Sequence, residues 1–194
     1  MNPAPPQPPR SPRSSQSKSE IGLLGEALIA EWLKSQGWAV LHQRWHCHWG
    51  EIDLIAQQPE TQRPAKPSQM RAPLATLVFV EVKTRSGNNW DADGLLAITA
   101  QKQTKLWQTA ELFLSSHPEL AELPCRFDVA LVACQALSKA QPQPENISED
   151  KIQAARLAIS TAISNRREAI AQEQPIAIGS YRLSLKDYIQ AAFT

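Results

Sequence analysis

The stretch 77–85, Leu-Val-Phe-Val-Glu-Val-Lys-Thr-Arg, constrains this chain more than any other. It is rich in Val and Phe, the residue types that fit a pleated, half-buried surface, so it is expected to be a strand. Side chains alternate across a strand. Val78, Val80 and Val82 therefore face a core, while Glu81, Lys83 and Arg85 share the other side. Residues 51–56 form a second expected strand, with Glu51 and Asp53 on one face and Ile52 and Leu54 on the other. If the two strands are neighbours, Asp53 meets Glu81 across them.

Two carboxylates converging from adjacent strands make a site of hard oxygen donors. Mg²⁺ (or Mn²⁺) suits such a site, because it takes one or two carboxylates and fills its remaining positions with water and phosphate oxygens. A lysine two residues past the second carboxylate can orient or deprotonate an attacking water. A Glu-x-Lys triplet alone is as well explained by a solvated strand face. The two strands together carry the argument, since each places acids on a single face.

Glu26 adds a third acid. Residues 21–36 are expected to be helical, and the neighbours of Glu26 on that helix are Gly22, Leu23, Ile29, Ala30 and Leu33. None is charged, so Glu26 needs a tertiary partner, a metal or a path to water. Glu31, with Lys34 three residues on, is an ordinary surface pair.

The remaining elements follow from the same periodicities. Residues 38–46 form a strand before a Trp49-Gly50 turn. Residues 99–115 form a helix with Thr99 as N-cap, and 126–133 a fourth strand. Residues 151–172 are a long polar and Ala-rich helix, 176–183 a last strand, and 185–193 a short closing helix. Gly37 is expected to terminate the first helix. The opening order α-β-β-β-α-β specifies an α/β (α+β) domain with a central mixed sheet flanked by helices. Residues 1–19, of Pro, Ser, Gln and Arg, are expected to be a disordered tail, because they cannot bury enough surface to offset ordering. A single domain then spans 20–194, with insertions at about 57–75, which holds Pro59, Pro64, Pro67 and Pro73, and at about 135–175.

Composition narrows the partners. The net charge is +1 over 194 residues, so nucleic-acid binding has to come from a local basic patch. Arg44, Arg85 and Lys102 are the candidates, with Lys105 and Arg126 extending the rim. No apolar run approaches the roughly 20 residues of a membrane helix, and the N-terminus shows no secretory pattern. Cys47, Cys125 and Cys134 are odd in number and lack CxxC spacing, which fits a reducing cytoplasm. His42, His46, Cys47 and His48 look metal-like but have no second ligand pair at zinc spacing. Trp32, Trp38, Trp45 and Trp49 are expected to pack the core and strands, and Trp90 to lie in a loop able to stack on a base.

Gly25-Glu26 with Ala30, Arg44 followed by Gly50-Glu51-Ile52-Asp53-Leu54-Ile55, and Phe79-Val80-Glu81-Val82-Lys83-Thr84-Arg85 resemble the YraN-like family of bacterial proteins. Lys102, Arg126-Phe127-Asp128-Val129 and Ala192-Phe193 extend the likeness. That family is similar to the restriction-endonuclease-like superfamily and to archaeal Holliday-junction resolvases. The resemblance implies metal ligands at Asp53 and Glu81, a catalytic Lys83 and a helix-borne acid at Glu26. It departs from the family pattern at 57–73, at 135–175, and where Gln43-Arg44-Trp45-His46-Cys47-His48 replaces a basic run. Resolvases act as dimers, so a homodimer is a further expectation.

The expected function is a metal-dependent endonuclease of PD-(D/E)xK type acting on DNA, with branched or damaged DNA as candidate substrates. Glu26, Asp53, Glu81 and Lys83 are its catalytic set, and Asp53, Glu81 and Glu26 its metal ligands. The alternatives are a nucleic-acid-binding module of the same fold that does not cut, and an interaction protein that docks a partner on the 151–172 helix.

Overall fold

A computed structural model describes residues 13–59, 75–86, 98–137, 149–164 and 175–193, with side chains from Glu20 onward except at 149, 151 and 164. Trp90 and residues 165–172 of the expected long helix lie outside them. Among the described residues three α-helices and six strands follow one another as α1 (Arg13–Ser35), β1 (Ala39–Cys47), β2 (Gly50–Gln58), β3 (Thr76–Ser86), α2 (Ala100–Ser116), β4 (Cys125–Ala136), α3 (Glu149–Ser164), β5 (Ile176–Ile178) and β6 (Tyr181–Phe193). The strands form one sheet in the order β1-β2-β3-β4-β6-β5. β3 and β4 run parallel, joined by the α2 crossover, and every other pair is antiparallel. The chain is thus an α+β fold on a mixed sheet.

The sheet has an apolar layer on each face. Leu54, Ala56, Val78, Val80, Ala130 and Val132 pack with Leu24, Leu28, Ile29 and Leu33 of α1 and with Ala155, Ile159 and Ile163 of α3. Ile55, Leu77, Phe79, Phe127, Val129 and Leu131 pack on the other side with Leu106, Ala110 and Phe113 of α2. The sequence treats 135–175 as an insertion, yet α3 within it buries three residues in the main core. Its helical spacing gathers a few apolar positions on one stripe, which suffices against a sheet.

Helix ends follow their local signals. Gly37 has φ 82, Gly37 N–H donates to Lys34 O at 2.9 Å and Trp38 N–H to Leu33 O at 3.0 Å, a left-handed cap that satisfies the last carbonyls of α1. At the start of α2, Thr99 Oγ1 accepts from Lys102 N–H at 3.3 Å, as an N-cap should. The N-terminus of α1 departs from expectation: the helix begins at Arg13, inside the stretch assigned to the tail.

Two further expectations fail. Residues 185–193 form the second half of strand β6, not a helix. Their Lys-Asp-Tyr-Ile-Gln-Ala-Ala composition is compatible with a helix, but pairing with β4, from Phe127↔Phe193 to Ala136↔Tyr181, overrides that local preference. The expected strand 176–183 is instead a hairpin, because Gly179 at φ 54 turns the chain between β5 and β6. The β1–β2 turn also falls one residue early, at His48–Trp49.

The alternation expected of β2 breaks at Asp53. Ile52 and Leu54 are both fully buried, but in opposite layers: Ile52 packs on the α2 side and Leu54 on the α1 side. The β2–β3 ladder stops at Leu54↔Val80. In β1, Arg44 lies between the pairs Gln43↔Leu54 and Trp45↔Ile52, opposite Asp53, with a left-handed φ of 53. That conformation is uncommon for a residue with a Cβ and costs about 1 kcal/mol. The sheet therefore carries a local wrench at the level of Asp53, and such strain tends to gather at functional sites.

Candidate functional site

Helix α1 reaches the sheet because position 25 has no side chain. A Cβ on Gly25 would overlap Thr84 Oγ1 of β3. The helix thus lies close against the strand that carries Glu81 and Lys83, and the next residue, Glu26, is brought to the end of the β2–β3 ladder. Beside it come Glu51 and Asp53 from β2, Glu81 and Lys83 from β3, Arg44 from β1 and Lys102 from α2.

Asp53 and Glu81 are tied together through the backbone. Asp53 Oδ2 accepts a 2.6 Å hydrogen bond from Val82 N–H, in the gap where the ladder stops. Glu81, whose side chain is only 5% exposed, receives Lys83 Nζ on Oε1 at 2.6 Å. Lys102 Nζ approaches Glu81 Oε2 at 3.1 Å, off the hydrogen-bond direction, so this buried oxygen has an ion-pair partner but no hydrogen bond. Arg44 Nε donates to Glu51 Oε1 at 2.7 Å and stands 3.8 Å from Glu26 Oε2.

The acids are unequally neutralised. Glu81 has two ammonium groups and Glu51 has a guanidinium; Glu26 has the more distant side of Arg44, and Asp53 a backbone N–H. Burial pushes the Glu26 carboxyl up to about 8, helped by the nearby charge of Asp53. Burial, then the charge of Glu81, pushes Asp53 up to about 7, against the opposing pull of the Val82 hydrogen bond. Like charges and desolvation disfavour ionisation here together. Perturbed pKa values cluster at functional sites, which makes these carboxyls a candidate site.

The donor set fits a hard divalent cation. Glu81 Oε2 is buried without a hydrogen bond, Asp53 commits one oxygen to Val82, and the less neutralised Asp53 would be relieved by positive charge. As the side chains stand, no three His, Cys, Asp or Glu groups among the described residues converge on one point. The fit therefore rests on the Asp53–Glu81 pair, with Glu26 alongside.

Of the basic candidates, Arg44 and Lys102 join the acids, and Arg85 is exposed at the end of β3. Lys105 is exposed on α2, with its Cβ near Gly50. Arg126 does not belong to the rim. It pairs with Asp128 at 2.9 Å, donates to Gln58 Oε1 at 2.8 Å and lies over the Trp38 ring. His42 packs against Phe113 and His117, and His48 against Trp49. Trp32, Trp38 and Trp45 pack as expected, whereas Trp49 is 44% exposed.

Sequence reading missed two partners. Glu51 holds Arg44, a contact visible only once β1 and β2 are in register. Asp128, fully buried, accepts from Arg126, from Tyr188 Oη at 2.9 Å and from Ala191 N–H at 2.9 Å, fastening β6 to β4. A charged pair two apart, Arg126-x-Asp128, was the available signal.

Comparison with known proteins places these residues in a family. Residues 25–132, which hold every acid, lysine and arginine of the site, match the model described as Uncharacterised protein family UPF0102. A UPF0102 protein of Acaryochloris marina is 47% identical over 175 residues, covering 90% of each chain. One from Trichodesmium erythraeum is 46% identical over 91% of this chain and 89% of its own. One from Synechocystis is 41% identical over 90% of this chain and 98% of its own. Alignments of that length extend well beyond residue 132, so most of the segment that includes α3 is shared with these relatives. No helix is long and apolar enough to cross a membrane among the described residues. With the YraN-like motifs on its strands and the match running through the whole site, the chain belongs to the UPF0102 family.

Proposed function

We propose that the chain is a metal-dependent endonuclease of the PD-(D/E)xK type, with a restriction-endonuclease-like site, acting on DNA. One observation carries the reading: Asp53 and Glu81 are joined at the open end of the β2–β3 ladder, and Lys83 Nζ sits 2.6 Å from Glu81. Asp53 and Glu81 would hold Mg²⁺ or Mn²⁺, with Glu26 as an outer acid. The cation, when bound, supplies charge neutralisation as the phosphodiester opens.

The chain's own groups do the rest. The Val82 N–H fixes the direction of Asp53. Lys83 Nζ, anchored on Glu81, points a donor to where an attacking water would sit. The water oxygen bonds to phosphorus and gives up one proton, the P–O ester bond breaks, and the departing strand end takes one proton up, so that water is divided between the two products. Arg44, Arg85 and Lys102 supply positive charge for the flanking phosphates. Burial of Glu81 keeps competing water from its oxygens.

The non-cleaving reading leaves this buried arrangement of acids and lysines without a task. The experiment is a cleavage panel of single-stranded, duplex, flapped and four-way DNA, with Mg²⁺ or Mn²⁺ and with EDTA. Cutting of one or more substrates with metal and none with EDTA supports the reading. DNA binding without cutting on every substrate would support the non-cleaving module instead.

A further inference from the structure

We infer that Lys102 is an exchangeable latch on Glu81: without metal its ammonium occupies the Glu81 oxygen that a divalent cation would take, and it is released toward a substrate phosphate when the cation binds. The inference rests on the metal-dependent reading above and assigns Lys102 a task within it, as a positioning residue.

The two ammonium groups on Glu81 are not equivalent. Lys83 lies two residues along the same strand, so alternation alone keeps it beside Glu81, and its contact is a 2.6 Å hydrogen bond. Lys102 comes from another element, the first turn of α2. Its contact is longer, 3.1 Å, and lacks hydrogen-bond alignment. Its side chain is 34% exposed, against 28% for Lys83. Of the two, Lys102 is the one that can leave.

Its backbone does not need to move. Lys102 N–H is held by the Thr99 cap, so the exchange involves the four-carbon stem alone. An ammonium and a divalent cation cannot share one buried carboxylate oxygen, because charges of the same sign at such separation repel strongly. Cation and Lys102 therefore compete for Oε2, and the coupling is reciprocal. The competition also has a use. A released Lys102 carries its charge to solvent beside the loaded site, where the next phosphate would lie.

A fixed structural counter-ion would behave in the opposite way. Removing it would leave Glu81 with one partner, loosen the site and weaken metal binding. Under the latch, removing it strengthens metal binding, so the sign of the effect decides.

The test is Mn²⁺ binding to the full chain, with MnCl₂ alone and no nucleic acid, read from the electron paramagnetic resonance signal of free Mn²⁺. Lys102→Met is expected to bind Mn²⁺ roughly fivefold tighter than the parent, or more. Lys102→Arg keeps the cation and should stay near the parent, as should Lys186→Met, an exposed lysine of β6. Asp53→Asn should lose most binding. If Lys102→Met melts below the assay temperature, Lys102→Gln takes its place with the same expected sign. Binding by Lys102→Met equal to or weaker than the parent's, with the parent binding normally, overturns the latch and leaves the metal site standing. Absence of Mn²⁺ binding from all variants overturns both.

Discussion

Asp53 Oδ2 accepts a 2.6 Å hydrogen bond from the N–H of Val82, so the carboxylate of β2 is fastened to the residue between Glu81 and Lys83 on β3. The bond replaces the ladder, which ends one residue earlier at Leu54↔Val80. It holds two like charges close together in a partly dry place. The consequences of that conflict can be measured without knowing the substrate.

The first is a pH dependence. Asp53 is raised from 3.8 to about 7 and Glu26 from 4.5 to about 8, so both bind protons more tightly in the folded chain. A group raised on folding lends full stability below its unfolded pKa and loses it as pH climbs through the folded value. The window here runs from about pH 4 to about pH 8. In EDTA the melting temperature should fall between pH 5.5 and 8.5, with a contribution on the order of 1 kcal/mol from Glu26. Glu26→Gln should flatten that fall. Parallel curves for the two proteins would place Glu26 in water.

Substituting Asp53→Asn removes one of the crowded charges and keeps an oxygen able to accept from Val82 N–H. In EDTA at pH 8 the variant should be as stable as the parent or more so, by on the order of 1 kcal/mol. Under the proposed function Mn²⁺ binds the folded form, so millimolar Mn²⁺ should raise the parent's melting temperature, and the variant should lose most of that rise. A rise of the same size in both would remove Asp53 from the site.

Gly25→Ala tests the approach of α1 to β3. Alanine favours a helix, but its Cβ would overlap Thr84 Oγ1. Overpacking should win, with a loss of about 1–3 kcal/mol in a denaturant titration. Gly25→Ala with Thr84→Ala should recover part of it. A neutral or stabilising Gly25→Ala would mean that the helix stands farther off than described.

Asp128→Ala should be far more damaging. It strips Arg126 of its carboxylate and frees Tyr188 and the Ala191 N–H, where the backbone sits at φ 48. Breaking a buried pair from one side costs about 3–5 kcal/mol. Urea unfolding should show a loss in that range, and a loss below about 1 kcal/mol would make the network peripheral.

Much of this was legible because the informative residues lie on regular elements. The alternation in 77–85 located Glu81 and Lys83, and the isolation of Glu26 on its helix foretold a tertiary setting. Thr99 and Gly37 marked helix ends through hydrogen-bonding rules that act within one turn. What escaped depends on distant partners. Strand β6 exists because β4 offers an edge, whatever the local preference of residues 185–193. The opposite burial of Ile52 and Leu54 arises where the ladder gives way, and no period in a single segment encodes it. Arg126 could not be told from a rim cation until Asp128, Gln58 and Trp38 were placed around it.

The most direct test of the account is single-turnover cleavage by the parent and by Lys83→Ala on the DNA substrate the panel identifies, in Mn²⁺ and in EDTA. Lys83 is one of several cations near the site, so its loss should leave DNA affinity nearly intact. In the proposed mechanism Lys83, held 2.6 Å from Glu81, is the group that would address the attacking water. The account expects metal-dependent cutting by the parent and a rate at least about a hundredfold lower for Lys83→Ala, with similar binding. Equal cleavage by the two proteins would contradict it.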